Sequence, residues 1–275
     1  MLMNLLPGLR EIRTPLASGY IWLLALWFSV RDHVPERAEA SGLLLSAYRL
    51  MDVVGTPATL AAASFVAYLL GQLQVEPDTA RKGVIRVAGH RGAQYLLRDI
   101  PKGGWEGKPP AVSQSSITTL GSYIETRQGE LDPAGTRDPS SRFFESEDML
   151  TRVTSDLRTL ALHLQVNKPE LFQDYDRLAS EAAFRVNVGA ALGGLSLVLA
   201  IVGGNAAFLV GLIITLLMVR SGIFRQQTAN DLLIETLTSR IVTSYLLGEY
   251  EAVLQRRAES RQAVAEEGAP NAQQV

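Results

Sequence analysis

Thirty-four consecutive positions, Val186 to Val219, carry no charged side chain. One helix of that length would measure about 50 Å at ~1.5 Å per residue, well beyond a hydrocarbon core of ~30 Å. Gly203-Gly204-Asn205 lies near the middle, and Gly and Asn accept the left-handed backbone of a tight reversal. The pattern predicts a transmembrane helical hairpin over 184–220, with halves at about Phe184–Val202 and Asn205–Val219. Two apolar runs precede it. Leu16–Val30 follows Arg10 and Arg13, with Pro15 suited to a helix start and Tyr20, Trp22 and Trp27 suited to the membrane interface. Leu43–Leu73 is most apolar from Val53 onward and contains Pro57. These runs predict an all-α membrane protein with four transmembrane helices. The first two lie at about 16–31 and 53–73, within an N-terminal membrane region of residues 1–75. A rival reading makes the first run a secretory signal cleaved after Ala38-Glu39-Ala40, against which stands the charged, Pro-containing stretch Arg31–Arg37.

Helical periodicity returns outside the apolar runs. Leu150, Val153, Leu157, Leu160 and Leu164 recur at spacings of three and four, which predicts a helix over 145–166 with one apolar face. That helix stops near Asn167, because Pro169 disfavours a helical residue before it and suits the first turn of the next one. Leu171, Tyr175, Leu178, Ala182, Val186, Gly189 and Gly193 then form one stripe, predicting a single helix from about 169 to 202. Past the fourth span, Ile234, Leu237, Ile241 and Tyr245 predict a helix over 221–257. Long helices thus extend from the spans into a cytoplasmic helical domain. Residues 99–116 and 129–141, rich in Gly, Pro and polar side chains, read as loops, with Ile117–Arg127 either a short strand or a helix between them. Residues 258–275 read as a disordered tail.

Basic residues set the orientation. Arg81, Lys82, Arg86 and Arg91 follow the second span, Arg220 and Arg225 follow the fourth, and the hairpin turn has no charge. This predicts a plasma (inner) membrane protein with both termini in the cytoplasm and 76–183 as a cytoplasmic insertion. The chain is 47% hydrophobic and 20% charged, so water-soluble parts accompany the spans. Its net charge of −2 gives no electrostatic case for a nucleic-acid partner. With no Cys, disulfides and thiolate chemistry are excluded. Arg outnumbers Lys 22 to 4, a bias associated with GC-rich bacterial coding.

Three groups of residues are candidates for function. Ser46, Arg49, Asp52, Thr56 and Thr59 recur every three or four residues and form a polar stripe entering the second span, with Arg49 and Asp52 spaced to pair. Inside the hydrocarbon this stripe would mark an ion path; at the headgroup level it would be ordinary surface. Gly189, Gly193, Ala207 and Gly211 are small residues that let helices approach closely, either span three on span four or between copies of the chain. Lys82, Arg86, His90 and Arg91 offer a face for anionic lipid headgroups, or only the usual positive-inside signal. His163 lies beside its helix stripe, and Asn205 is suited to serve the turn. Gly107-Lys108 lacks the spacing and the Ser/Thr of a phosphate loop. No metal-ligand spacing, nucleophile motif or dinucleotide fingerprint occurs, so neither cofactor nor metal nor catalysis is expected. The expected partners are the lipid bilayer and a protein partner or further copies of the chain. The expected role is a non-enzymatic, membrane-anchored interaction or scaffold module, the alternative being a small homo-oligomeric channel or pore-forming effector.

Overall fold

The computed structural model describes residues 7–73, 75–96, 112–131 and 139–268; the side chains of 7–11, 87–96, 139–144 and 265–268 lie outside that description. Every regular element among these residues is helical: α1 (Pro7–Val30), α2 (Gly42–Gly71), α3 (Pro77–Leu96), α4 (Gln114–Leu131), α5 (Pro139–Ser155), α6 (Leu157–Asn167), α7 (Pro169–Val202), α8 (Val210–Thr238) and α9 (Tyr245–Gly268). Short 3-10 turns occupy Arg31–His33 and Ala206–Leu209. The chain divides into two units, the first of residues 1–97 and 179–226, the second of residues 98–178 and 227–275.

Among the described residues, three helical stretches are long and apolar enough to cross a membrane: Gly42–Gly71, Pro169–Val202 and Ala206–Thr238. Many of their apolar side chains are exposed, as a lipid-facing surface requires; Val53 is 86% exposed and Ile201 72%. α1 is not among them. It starts earlier than expected, at Pro7, so Arg10 and Arg13 fall inside the helix and Pro15 lies within it rather than at its start. The charge-free remainder, Leu16–Val30, spans only about 22 Å at ~1.5 Å per residue.

In the first unit α1 and α2 cross at two glycines. A Cβ on Gly19 would overlap the Ala67 carbonyl, and one on Gly71 would overlap the Pro15 carbonyl. Ala67 and Ser18 are buried at this crossing, and the Ser18 hydroxyl is satisfied by the Thr14 carbonyl at 2.9 Å. Only residues without side-chain bulk allow backbones this close in an apolar setting. The Trp22 ring lies against Gly194, which packs α1 on α7.

α7 and α8 form the expected hairpin. α7 runs from Pro169 to Val202, as its stripe and flanking residues predict. The reversal has Gly204 at φ +60°, and the Asn205 side chain accepts from the Ala207 N–H at 2.9 Å. Gly189 meets Met218, Val219 and Thr215; Gly193 meets Thr215; Gly211 meets Ser196. These three glycines therefore pack α7 on α8 within one chain. Ala207 does not join them. It is exposed within the 3-10 turn, because α8 proper begins only at Val210.

The second unit has its own apolar core. Leu150, Val153, Leu157, Leu160 and Leu164 are all buried, together with Leu120, Ile124, Leu233, Ile234 and Leu237. Sixteen such buried residues close around α4, α5, α6, the start of α7, the end of α8 and α9. Removing this area from water at ~25 cal/mol per Å² is the main drive for the unit to fold.

Several boundaries correct the expectations from sequence. Residues 114–131 are one helix, not a short strand, and Ser113 caps it by accepting from the Ser116 N–H at 3.2 Å. Both ends of the expected second loop are helical, since α4 reaches Leu131 and α5 starts at Pro139; its middle, 132–138, and most of the first loop lie outside the described residues. The 145–166 helix is interrupted at Asp156, whose carboxylate accepts from the Thr159 hydroxyl. The helix expected over 221–257 is two helices, α8 and α9. Arg240 takes φ +57°, with its N–H on the Leu237 carbonyl and the Ile241 N–H on the Thr236 carbonyl. That pattern is a left-handed helix end, with Arg in the place usually held by Gly. Ile241 and Tyr245 are consequently exposed rather than on the apolar side. The tail expected to be disordered is helical as far as Gly268, with Leu254 buried and Arg257 placed 3.6 Å from Glu145; residues 269–275 lie outside the described residues.

Candidate functional site

The polar stripe does not form one helix face. Gly55 has φ +77° and ψ 169°, outside helical geometry, so Ser46, Arg49 and Asp52 sit on one segment of α2 and Thr56 and Thr59 on the next. Gly55 and Pro57 together explain the break: the glycine accepts the left-handed backbone, and the proline supplies no N–H. Asp52 pairs with Arg37 from the loop before α2, with both guanidinium nitrogens on its carboxylate, and not with Arg49. Thr59 donates to the Gly55 carbonyl at 3.1 Å and Ser46 to the Gly42 carbonyl at 3.2 Å. Ser46, Arg49, Asp52 and Thr56 are exposed on the outside of the first unit.

Of the four candidate headgroup residues, two have described side chains. Lys82 and Arg86 are exposed on α3, while the side chains of His90 and Arg91 lie outside the described residues. Arg81, beside them, is half-buried, and burial lowers its pKa against the opposing pull of Asp78. His163 places Nδ1 3.3 Å from the Thr243 carbonyl, next to a neighbouring element as its position beside the stripe implied.

The most structured polar feature is a cleft in the second unit that sequence reasoning missed. It encloses about 350 Å³ between α4 and α8. α8 contributes Thr228, Asp231, Glu235 and Thr238, spaced so that all four fall on one helix face. α4 contributes Ser115, Ser116 and Thr119 from its first turns, and Leu178, Leu232 and Ile234 supply apolar wall. The position of α4 is fixed at its start, where the Ser113 N–H donates to Asp231 Oδ1 at 2.9 Å. The Ser113 hydroxyl lies 2.9 Å from Ser115 Oγ and 3.0 Å from Ser116 Oγ. Thr119 and Thr238 donate to their own helix carbonyls, at 3.0 and 3.2 Å, which leaves their oxygens as acceptors. The cleft thus presents many acceptors and two carboxylates. The arrangement sets Ser and Thr side chains beside the carboxylates of Asp231 and Glu235, groups that can accept from donors or pair with a cation.

A smaller cavity of about 130 Å³ adjoins α9. It is lined by Arg127, which donates to Glu251 at 2.8 Å and to Glu130 at 2.6 Å. These two carboxylates raise the guanidinium pKa further above its ordinary value, chiefly through the bond to Glu251. The ion pair ties α4 to α9. No group of three or more His, Cys, Asp or Glu able to hold a metal occurs among the described residues.

The polar spacing on α8 was present in the sequence, beside the Ile234 and Leu237 stripe, but a solvated helix face has the same spacing. Only the placement of α4 against it makes a cleft. Comparison with known proteins found no match among family models, curated proteins or solved structures.

Proposed function

We propose that this chain is a non-enzymatic, membrane-anchored interaction module of a bacterial inner membrane, whose second unit receives a protein partner in the cleft between α4 and α8. The cleft itself carries this reading: its lining sets two carboxylates, Asp231 and Glu235, among Ser and Thr side chains beside an apolar core. That chemistry suits a basic partner segment, because Lys and Arg side chains bring several donors and a positive charge.

The first unit serves as the anchor in this reading. α1 is the fourth crossing, shortened by its charged first half and supported by its glycine crossing with α2. The positive-inside rule assigns 76–183 and the residues after 220 to the cytoplasm, from Arg81, Lys82, Arg86 and Arg91 on one side and Arg220 and Arg225 on the other.

The test uses the full chain in native membranes, with a photo-crosslinking residue at Thr228 on the cleft wall. Thr119→Lys and Glu235→Lys, which each add positive charge to the cleft, abolish the crosslinked partner band. Unchanged crosslinking in both variants refutes the reading. Point substitutions are preferable to deleting 143–166, because that segment holds Leu150 to Leu164 of the core.

A second reading, a homo-oligomeric channel, is favoured by one observation. Ser46, Arg49, Asp52 and Thr56 expose polar groups on the outside of a helix long enough to span. Such groups are costly against lipid unless another copy covers them. Ion flux through purified protein in liposomes, changed by Arg49→Ala or Asp52→Ala, supports it; absence of flux from folded, inserted protein removes it.

A further inference from the structure

Four guanidinium groups gather where the apolar stretches of the hairpin end. Arg185 on α7 and Arg225 on α8 reach the same oxygen, Glu181 Oε2, at 3.6 and 3.5 Å. Those distances exceed a direct hydrogen bond, so the carboxylate holds the pair by charge while leaving N–H groups to donate elsewhere. Arg185 also donates to the Ser221 hydroxyl, which fixes its direction. Arg13 of α1 stacks 4.8 Å from the centre of the Phe184 ring, and Arg220 lies 5.6 Å from that of Phe224. Ring stacking engages the face of a guanidinium and leaves its in-plane donors open.

Arg185 and Arg225 therefore share one carboxylate, and the four cations come from three helices of the same unit. Val75, tethered to Asn187 at this level, leads into Glu76 and Asp78 against Arg81 and Lys82, which leaves the balance unchanged. Immediately beyond Arg220 the surface of α8 turns apolar and outward, with Leu216 39%, Leu217 56% and Ile213 60% exposed.

We propose that this belt, Arg13, Arg185, Arg220 and Arg225, is a binding site for an anionic diacyl phospholipid. The phosphate would take the in-plane donors of Arg185 and Arg225, and the acyl chains would lie along Leu217 and Ile213. Arg suits this ligand because its planar fork matches phosphate oxygens two at a time. The apolar surface directly beside the belt distinguishes a lipid from a soluble phosphate, which would leave those side chains uncovered. The inference stands apart from the partner-binding cleft and survives its failure.

The test is thermal unfolding of the purified full chain in mild detergent, followed by tryptophan fluorescence. Samples receive phosphatidylglycerol, phosphatidylcholine or inorganic phosphate. Phosphatidylglycerol raises Tm and the other two do not. Each variant is compared with its own lipid-free baseline, so a change in intrinsic stability does not enter. Arg185→Gln with Arg225→Gln removes at least half of the phosphatidylglycerol increment, and Glu181→Gln preserves or enlarges it. Arg152→Gln with Arg158→Gln removes the same charge from the exposed surface of the second unit and keeps the increment. Should the first double variant fail to fold, Arg13→Gln with Arg220→Gln touches only ring-stacked groups and reports the same loss. Equal increments from phosphatidylglycerol and phosphatidylcholine overturn the proposal. So does an equal increment from inorganic phosphate, or an equal loss in the Arg152 and Arg158 control.

Discussion

Asn187 holds Val75 by both of its backbone groups. Its Oδ1 accepts from the Val75 N–H at 2.7 Å, and its Nδ2 donates to the Val75 carbonyl at 3.3 Å and to the Ala183 carbonyl at 2.8 Å. Asn187 is 5% exposed, at the first turn of the charge-free stretch of α7. An unpaired backbone amide next to an apolar region is costly, so the side chain does for the chain after α2 what a neighbouring strand or helix turn would otherwise do. Asn187→Leu keeps the size and removes all three bonds. It should cost about 1–3 kcal/mol, the range for leaving buried partners unsatisfied. Tm of the detergent-solubilised chain falls, and limited proteolysis between Leu73 and Pro77 accelerates. Wild-type values for both would show that Val75 finds water instead.

Gly19 and Gly71 decide the sign of a substitution that is usually mild. Alanine in place of a helical glycine ordinarily gains about 0.5–1 kcal/mol in helix propensity. At Gly19 the added Cβ would overlap the Ala67 carbonyl, and at Gly71 the Pro15 carbonyl, both backbone atoms that cannot rotate away. Overpacking of about 1–3 kcal/mol then outweighs the propensity gain. Gly19→Ala and Gly71→Ala lower Tm and broaden the size-exclusion profile. Gly121→Ala in α4, where a Cβ meets nothing within 4 Å, leaves Tm unchanged or raises it. A stabilised Gly19→Ala protein would show that α1 and α2 do not cross this closely.

How far the sequence led depended on whether a feature was local. The ends of α7 were legible because Pro169 starts it, Gly203-Gly204 ends it and one stripe runs between them. The burial of Leu150 to Leu164 followed from their spacing alone. Gly189 and Gly193 were legible as packing residues, because small side chains in an apolar helix have few other uses. The end of α8 was hidden, since a left-handed cap is normally announced by Gly or Asn and here is taken by Arg240. Gly55 gave a signal that the apolar run around it obscured: with Pro57 it separates Ser46, Arg49 and Asp52 from Thr56 and Thr59. The partner of Asp52 was out of reach for a related reason. Arg37 lies fifteen positions away in a loop, whereas helical spacing pointed to Arg49. The cleft required knowing that the start of α4 lies on α8, a long-range contact made by the Ser113 N–H and Asp231.

Tyr245 gives a pH dependence with a defined sign. Its hydroxyl donates to Glu249 Oε1 at 3.0 Å, one turn along α9. The bond, and then the nearby carboxylate charge, raise the phenol pKa above its ordinary value of 10.0. The neutral phenol is thus favoured in the folded chain. Whatever stability it contributes is complete below the unfolded pKa and is lost as pH rises through the higher folded value. Subtracting the phenolate absorbance of Tyr245→Phe from that of the wild type isolates this group. Its midpoint lies above 10.0 and returns toward it in Glu249→Gln. A wild-type midpoint at or below that value would mean the hydroxyl faces water.

The number of crossings can be read by chemistry, because the chain contains no Cys and a single introduced thiol has no background. Four positions suffice: Asn4 before α1, Ser41 before α2, Ala206 in the exposed hairpin turn and Ser260 on α9. Each is replaced by Cys in turn and labelled with a membrane-impermeant maleimide on intact spheroplasts. With four crossings and cytoplasmic ends, Ser41→Cys and Ala206→Cys react at once. Asn4→Cys and Ser260→Cys react only after permeabilisation. If Asn4→Cys and Ser41→Cys share a side, α1 does not cross, in keeping with its shortened apolar stretch, and the anchor is α2 with the hairpin. If Ala206→Cys is shielded from the outside, the hairpin enters and returns without crossing. Its turn satisfies that case too, with the Gly203 N–H on the Leu199 carbonyl at 2.9 Å and the Ala207 N–H on Asn205. In either arrangement both ends of the hairpin lie on one side, so Arg185 and Arg225 stay at the headgroups of one leaflet and the lipid proposal keeps its geometry.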